Sequence, residues 1–306
     1  MNKMGIKNWG PVFIIIAALL WAFDGVIRRS LYSLPPITII FFEHIIGLVI
    51  LLPFVWKKII LEKIDRRSFW LLLLVAILSG LLGTLWFTTA LLKVHFISFS
   101  VVFLLQKIQP IFAITSSSIL LKEKFEKSYI KWAVIAIIAA FFVTFKDGYV
   151  NMATGGDTVI AALYAVGAAF AWGTSTTFSK MILTKISHEV TTFYRFLFTG
   201  VISLVVLLVL GYGGSLFLPT LNQFGLFSLI AVSTGMVALV IYYKGLSMTK
   251  VHIATILELT FPFVAILIDM KLYNNFLSAS QLIAAFVLCF AIYKIARINQ
   301  SVQITN

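Results

Sequence analysis

Ten apolar runs, each about the length a helix needs to cross a bilayer, follow one another through this chain. They cover residues 11–31, 37–56, 69–91, 97–120, 129–146, 158–183, 189–210, 223–246, 251–272 and 279–297. A bilayer core offers no water to backbone N–H and C=O groups, so uniformly apolar runs of this length close their hydrogen bonds as helices. The connections are short, the longest near 57–68, 147–157 and 211–222, and none is long enough for a soluble domain. The expected fold is an all-α membrane protein. Of its 306 residues, 61% are hydrophobic and 11% charged, too few charges to coat a water-soluble surface. Lys3 and Lys7 give the start of the chain the look of a signal peptide. No small-residue cleavage site follows, and Asp24 interrupts the run, so it reads as a helix.

Lysine and arginine set the orientation. With the first residue in the cytoplasm, 17 of the 24 fall on that side, among them Lys57, Lys58, Lys63, Arg66 and Arg67, then Lys122, Lys124, Lys127 and Lys131. Arg28, Arg29, Lys93, Lys146 and Lys271 fall on the other side, while Lys107 and Arg195 lie within spans. Both termini are therefore expected in the cytoplasm, with the bacterial plasma (inner) membrane as the location. The same asymmetry accounts for the net charge of +13, so the expected partners are lipid headgroups and not nucleic acid. The one cysteine, Cys289, sits in an apolar run and leaves no basis for an intrachain disulfide or a cysteine metal cluster.

The chain also repeats itself weakly. At an offset of 151 residues Trp21 meets Trp172, Arg29 meets Lys180, Phe42 meets Phe193 and His44 meets Arg195. At 152, Gln106 meets Glu258 and Pro110 meets Pro262. Five helices per half is an odd number, so the second half must enter the membrane from the opposite side. The expectation is ten transmembrane helices as two inverted five-helix repeats, 1–150 and 151–306. In that architecture the solute site lies near the midplane, between the halves.

On these features the chain resembles the EamA-like branch of the drug/metabolite transporter superfamily. The resemblance rests on the ten-helix count, halves starting near residues 11 and 158, and the Trp21 and Trp172 pair. It rests also on Arg195 within Tyr-Arg-Phe, the proline-centred fourth and ninth helices, and Leu120-Leu-Lys-Glu123 at the end of the fourth. It implies a bundle with peripheral fifth and tenth helices around a central cavity. It also implies export or exchange of amino acids or related small metabolites.

An ionisable group at the centre of a spanning helix costs about 2.5–3.5 kcal/mol on insertion scales, so each one here asks for a reason. Trp21, Asp24 and Arg28 are spaced to share one helical face. That face is either a wet wall, with Trp21 stacking on solute and Asp24 holding an amine or a proton, or a local Asp24–Arg28 ion pair. Glu43 is either a proton carrier or the partner of Lys107 or Arg195 across helices. His44 packs or couples, and its alignment with Arg195 suggests a repeated structural post. Gln106, Lys107 and Gln109 surround Pro110, whose missing N–H frees the carbonyl of Gln106. Glu258 stands four residues before Pro262 in the same relation, and is the leading residue for solute recognition or coupling. Trp172, aligned with Trp21, is expected at the solute as well. The cationic Lys107 wall facing the anionic Glu258 wall suits a zwitterion.

The function expected is secondary-active transport of a small solute by alternating access, with protons as a coupling ion to be tested. No nucleotide-binding loop is present, and no catalytic residue, metal or cofactor is expected. An intramembrane enzyme would need a constellation the chain lacks: His188-Glu189 is followed by Val-Thr-Thr, not by the second histidine of a zinc protease. A non-transporting scaffold or sensor would pair every polar group and leave no cavity, and a channel is a nearer rival. The oligomeric state is open.

Overall fold

The computed structural model describes residues 9–93, 108–149, 157–261, 264 and 278–304. Every regular element among them is helical. In chain order these are α1 (Gly10–Trp21), α2 (Asp24–Arg29), α3 (Pro36–Leu61) and α4 (Arg66–Val75). A π-helical stretch, Ala76–Gly83, carries α4 into α5 (Thr84–Lys93). Then come α6 (Gln109–Leu120), α7 (Lys127–Thr144), α8 (Asp157–Leu183) and α9 (His188–Val209). The last four are α10 (Leu221–Val232), α11 (Met236–Met248), α12 (Val251–Leu257) and α13 (Ala279–Ile304). Five helices among the described residues are long and apolar enough to cross a membrane: Pro36–Leu61, Arg66–Ala90, His188–Val209, Leu221–Met248 and Ala279–Arg297.

Local chemistry sets the helix starts. Asp65 accepts the amide of Ser68 at 2.8 Å and opens α4, and Ser187 caps α9 through Val190. Thr220 and Gln223 form a reciprocal capping box at α10. Prolines sit in the first turns of α1, α3 and α6, where a missing N–H leaves no intrahelical bond unmade. Pro110 stands in the first turn of α6 as far as the described residues reach. Gln106 and Lys107 lie outside them.

Three spans depart from a plain α-helix. The first tightens after Trp21, where Phe23 bonds back three residues to Leu20. α1 ends at that turn and Asp24 opens α2. In the third span the π turns absorb extra chain. The eighth breaks between α10 and α11, where Gly235 N–H reaches Ile230 O five residues back, at 2.7 Å. Gly83 and Gly235 stand 152 residues apart, the offset at which Pro110 meets Pro262. In the ninth span, the Glu258 carbonyl expected to lack a donor takes the Phe261 N–H at 3.0 Å. Pro262 itself lies outside the described residues.

Helices pair closely where small residues allow it. α1 packs on α11: a Cβ on Gly245 would stand 2.8 Å from the carbonyl oxygen of Gly10, so the two backbones touch. α8 packs on α6 with Gly173 against the backbone of Gln109. α3 pairs with α9. α7 pairs with α13, and both turn large apolar side chains outward, including Ile138, Phe142, Phe286 and Phe290.

One end of the bundle is rich in cations and joins residues from both halves of the sequence. Lys58 pairs with Glu189 at 2.6 Å, Lys185 with Asp65 at 2.7 Å, and Glu62 accepts the Ser187 amide at 2.9 Å. The Lys185 ammonium and the Ser68 donors hold the Asp65 carboxyl well below the usual carboxylate range. Nearby, Glu123 accepts the amides of Val251 and His252 at 3.0 and 3.2 Å and pairs with the His252 ring, capping α12. Burial opposes its charge, but these donors outweigh burial and lower its pKa. Lys180 closes α11 by donating to the carbonyls of Leu246 and Ser247 at 2.8 and 2.9 Å.

Candidate functional site

The polar residues of the spans fall into separate groups. In the first, Glu258 stands at the end of α12 with both carboxylate oxygens engaged. Tyr242 of α11 donates its hydroxyl to Oε1 at 2.6 Å, and Gln109 of α6 donates its side-chain amide to Oε2 at 3.1 Å. The Trp21 ring lies 5.1 Å from that of Tyr242. Three of the expected residues, Trp21, Gln109 and Glu258, therefore meet around a fourth that was not singled out. Tyr242 had a signal in the sequence: Tyr242-Tyr243 is a polar pair inside an apolar run.

Tyr243 continues the polar line. Its hydroxyl accepts from Arg195 Nη1 at 2.9 Å and lies 3.2 Å from Ser179 Oγ, with the guanidinium 5.8 Å from the ring centre. Arg195 is thus held by a tyrosine ring and hydroxyl. His44 is occupied locally. Its Nδ1 lies 2.8 Å from the carbonyl of Ile40, which can only accept, so Nδ1 carries the proton. Its ring packs 4.7 Å from Phe196.

The other group is an ion cluster between α2, α3 and the break before α11. Arg28 donates Nε to Asp24 at 2.8 Å and Nη2 to Glu43 at 3.0 Å. Thr234 donates to the remaining side of Asp24 at 2.8 Å. The Asp24–Arg28 pair was one of the two readings of that face. Among the described residues the partner of Glu43 is Arg28, and not Arg195; Lys107 lies outside them. All three side chains are largely shielded, with 6%, 8% and 23% exposure for Arg28, Glu43 and Asp24.

Trp172 stands elsewhere. Its Nε1 donates to the carbonyl of Ser79 at 3.1 Å, and its ring lies over Gly83 and 5.3 Å from Phe87. It locks α8 onto the π-helical stretch. None of these contacts is with the Glu258 group, so the solute role expected from its alignment with Trp21 has no support in its surroundings. Among the described residues no group of three or more His, Cys, Asp or Glu could hold a metal ion.

Comparison with known proteins gives the family. The chain is 32% identical over 293 residues, 95% of its length, to the riboflavin transporter ImpX of Fusobacterium nucleatum subsp. nucleatum, covering 98% of that protein. A solved crystal structure superposes with a TM-score of 0.74 at 15% identity, covering 96% of this chain and 98% of its own; at that identity the likeness concerns the fold alone. The sequence model of the EamA-like transporter family matches twice, at residues 8–145 and 159–297. This chain is an integral membrane transporter and belongs to the EamA-like transporter family.

Proposed function

We propose that the chain carries riboflavin or a closely related uncharged heteroaromatic solute by alternating access. In this reading two inverted five-helix halves, 1–150 and 151–306, make ten spans and rock about a site between them. The observation that carries it is the cluster of Gln109, Tyr242 and Glu258 beside Trp21, a hydrogen-bonding group drawn from both halves of the sequence. A flavin ring offers an imide N–H flanked by carbonyls, and a carboxylate, a phenol and an amide supply the complementary acceptor and donors. Trp21 supplies a flat face. The 32% identity to a riboflavin transporter supports the same solute class.

Carriage of amino acids, as exporter or exchanger, is the second reading. It relied on Lys107 as the cationic wall opposite Glu258, and Lys107 lies outside the described residues. The cation-rich end is taken as cytoplasmic, with both termini there and the plasma membrane of a bacterium as the location. Protons as the coupling ion enter through the Asp24–Arg28–Glu43 cluster, where two carboxylates share one guanidinium.

The test is purified protein in liposomes, loaded with labelled riboflavin and a panel of labelled amino acids, with and without a pH gradient. Saturable riboflavin flux is expected. Saturable amino-acid flux with no riboflavin flux overturns the reading.

A further inference from the structure

Away from the Glu258 group, at the end of the bundle opposite the basic one, a crevice of about 660 Å³ opens between α3, α5, α8 and the turn after α9. Its volume is within the roughly 300–1,000 Å³ typical of small-molecule sites. Three aromatic side chains line it from three different segments: Trp86, Tyr164 and Tyr212. Pro36 stiffens one rim, and Thr89 and Lys93 bring polar atoms to the α5 wall.

The aromatic wall is built and not incidental. Trp86 packs closely on α8 because residue 167 is glycine: a Cβ there would stand 2.8 Å from Cε3 of the indole. The π-helical stretch directly before α5 sets the rotation at which Trp86 leaves the helix. On the neighbouring helix face, Trp172 anchors that same stretch through Ser79. Flat rings from separate elements, with few polar groups to one side, match a planar ring system carrying heteroatoms. An acyl chain has no use for that wall of hydroxyl, phenol and ammonium groups.

We propose that this crevice is an outer vestibule that binds the planar heteroaromatic ring of the transported solute. Trp86, Tyr164 and Tyr212 contact its faces, and Thr89 takes its polar edge. The proposal rests on the riboflavin reading above, and adds a second station on the solute's path, distinct from Glu258.

Riboflavin fluorescence is quenched when its ring stacks on indole or phenol, so titration of the full-length protein in nanodiscs reads binding, and the variants assign it to the vestibule. Trp86→Ala is expected to weaken binding by about tenfold, the scale of losing one ring-stacking platform, with Trp86→Phe recovering most of it. Tyr212→Ala, at a position 46% exposed where truncation does not disturb helix packing, should weaken binding severalfold. Lumiflavin, the ring with only methyl substituents, should compete, and ribitol should not. If wild-type protein binds no riboflavin, the functional reading fails first. If it binds riboflavin and both Trp86→Ala and Tyr212→Ala bind with wild-type affinity, or ribitol competes where lumiflavin does not, the vestibule is overturned.

Discussion

The side-chain amide of Gln109 donates to the carboxylate of Glu258 at 3.1 Å, joining the segment that carries Pro110 to the one that carries Pro262. Tyr242 holds the other carboxylate oxygen at 2.6 Å. A hydrogen bond to a charged group contributes about 1.5–3 kcal/mol, roughly ten- to a hundredfold in an equilibrium. Tyr242→Phe should therefore lower riboflavin uptake at limiting concentration by about tenfold, and Glu258→Gln by more. Liposome uptake measures both. Unchanged uptake in Tyr242→Phe would show that the carboxylate works without this donor.

Arg28 is the shared partner of two shielded carboxylates. Removing one partner of a buried pair costs about 3–5 kcal/mol, because the charges left behind have no compensation. Arg28→Met should accordingly lower the melting temperature in detergent sharply. The triple variant Asp24→Asn, Arg28→Met, Glu43→Gln should melt above the single one despite carrying more changes. A triple variant that melts at or below Arg28→Met would mean that packing and not charge dominates the cluster.

Gly245 and Gly225 make a paired test of helix contact. A Cβ on Gly245 meets the Gly10 oxygen and Ile14 Cγ1 at 2.8 Å and the Ile14 nitrogen at 3.0 Å, so α1 must move away from α11. Gly245→Ala should cost about 1–3 kcal/mol. A Cβ on Gly225 meets nothing within 4 Å, and Gly225→Ala should stabilise α10 by up to about 1 kcal/mol. Thermal unfolding of the two variants should shift in opposite directions.

Lys58–Glu189 and Lys185–Asp65 are exposed, so their energy is small and their interest is geometric. They tie the two halves of the sequence at the basic end. With Cys289 replaced by Ala, cysteines at 58 and 189 joined by a short bifunctional thiol reagent should stop flux while leaving riboflavin binding intact. Flux that persists after complete bridging would rule out opening at this end.

Glu123 gives a pH dependence with a definite sign. Its folded pKa lies below the ordinary value of about 4.3, so its contribution is full above that value and is lost as pH falls through the lower folded one. Wild-type protein should melt higher than Glu123→Gln at pH 7, and the gap should close below about pH 4. A gap that stays constant with pH would mean that the charge of Glu123 contributes nothing and that the difference comes from packing.

Much of the frame was legible because polar residues inside apolar runs are conspicuous. Trp21, Asp24, Gln109, Glu43, Arg195 and Glu258 all fall in hydrogen-bonded or ion-paired groups or against an aromatic ring. Partners were not legible, since they depend on how each helix is rotated about its axis. Glu43 meets Arg28 of α2, a partner that spacing along the chain did not single out. The π turns at Ala76–Gly83 leave no mark in composition, and so the hydrogen bond from Trp172 to Ser79 within them was not legible either.

Those π turns also divide the labour of one span. A continuous α-helix fixes the azimuth of every residue once the first is placed. With slack taken up at Ala76–Gly83, the length from Arg66 to Val75 can keep its seat near the basic end while the length from Thr84 to Lys93 is aimed independently. A shift of one residue within the slack would turn Trp86 about the helix axis and leave the Asp65 cap untouched. The span thus behaves as a jointed rod, in which the end that carries Trp86 can be re-aimed without rebuilding the end that carries the Asp65 cap.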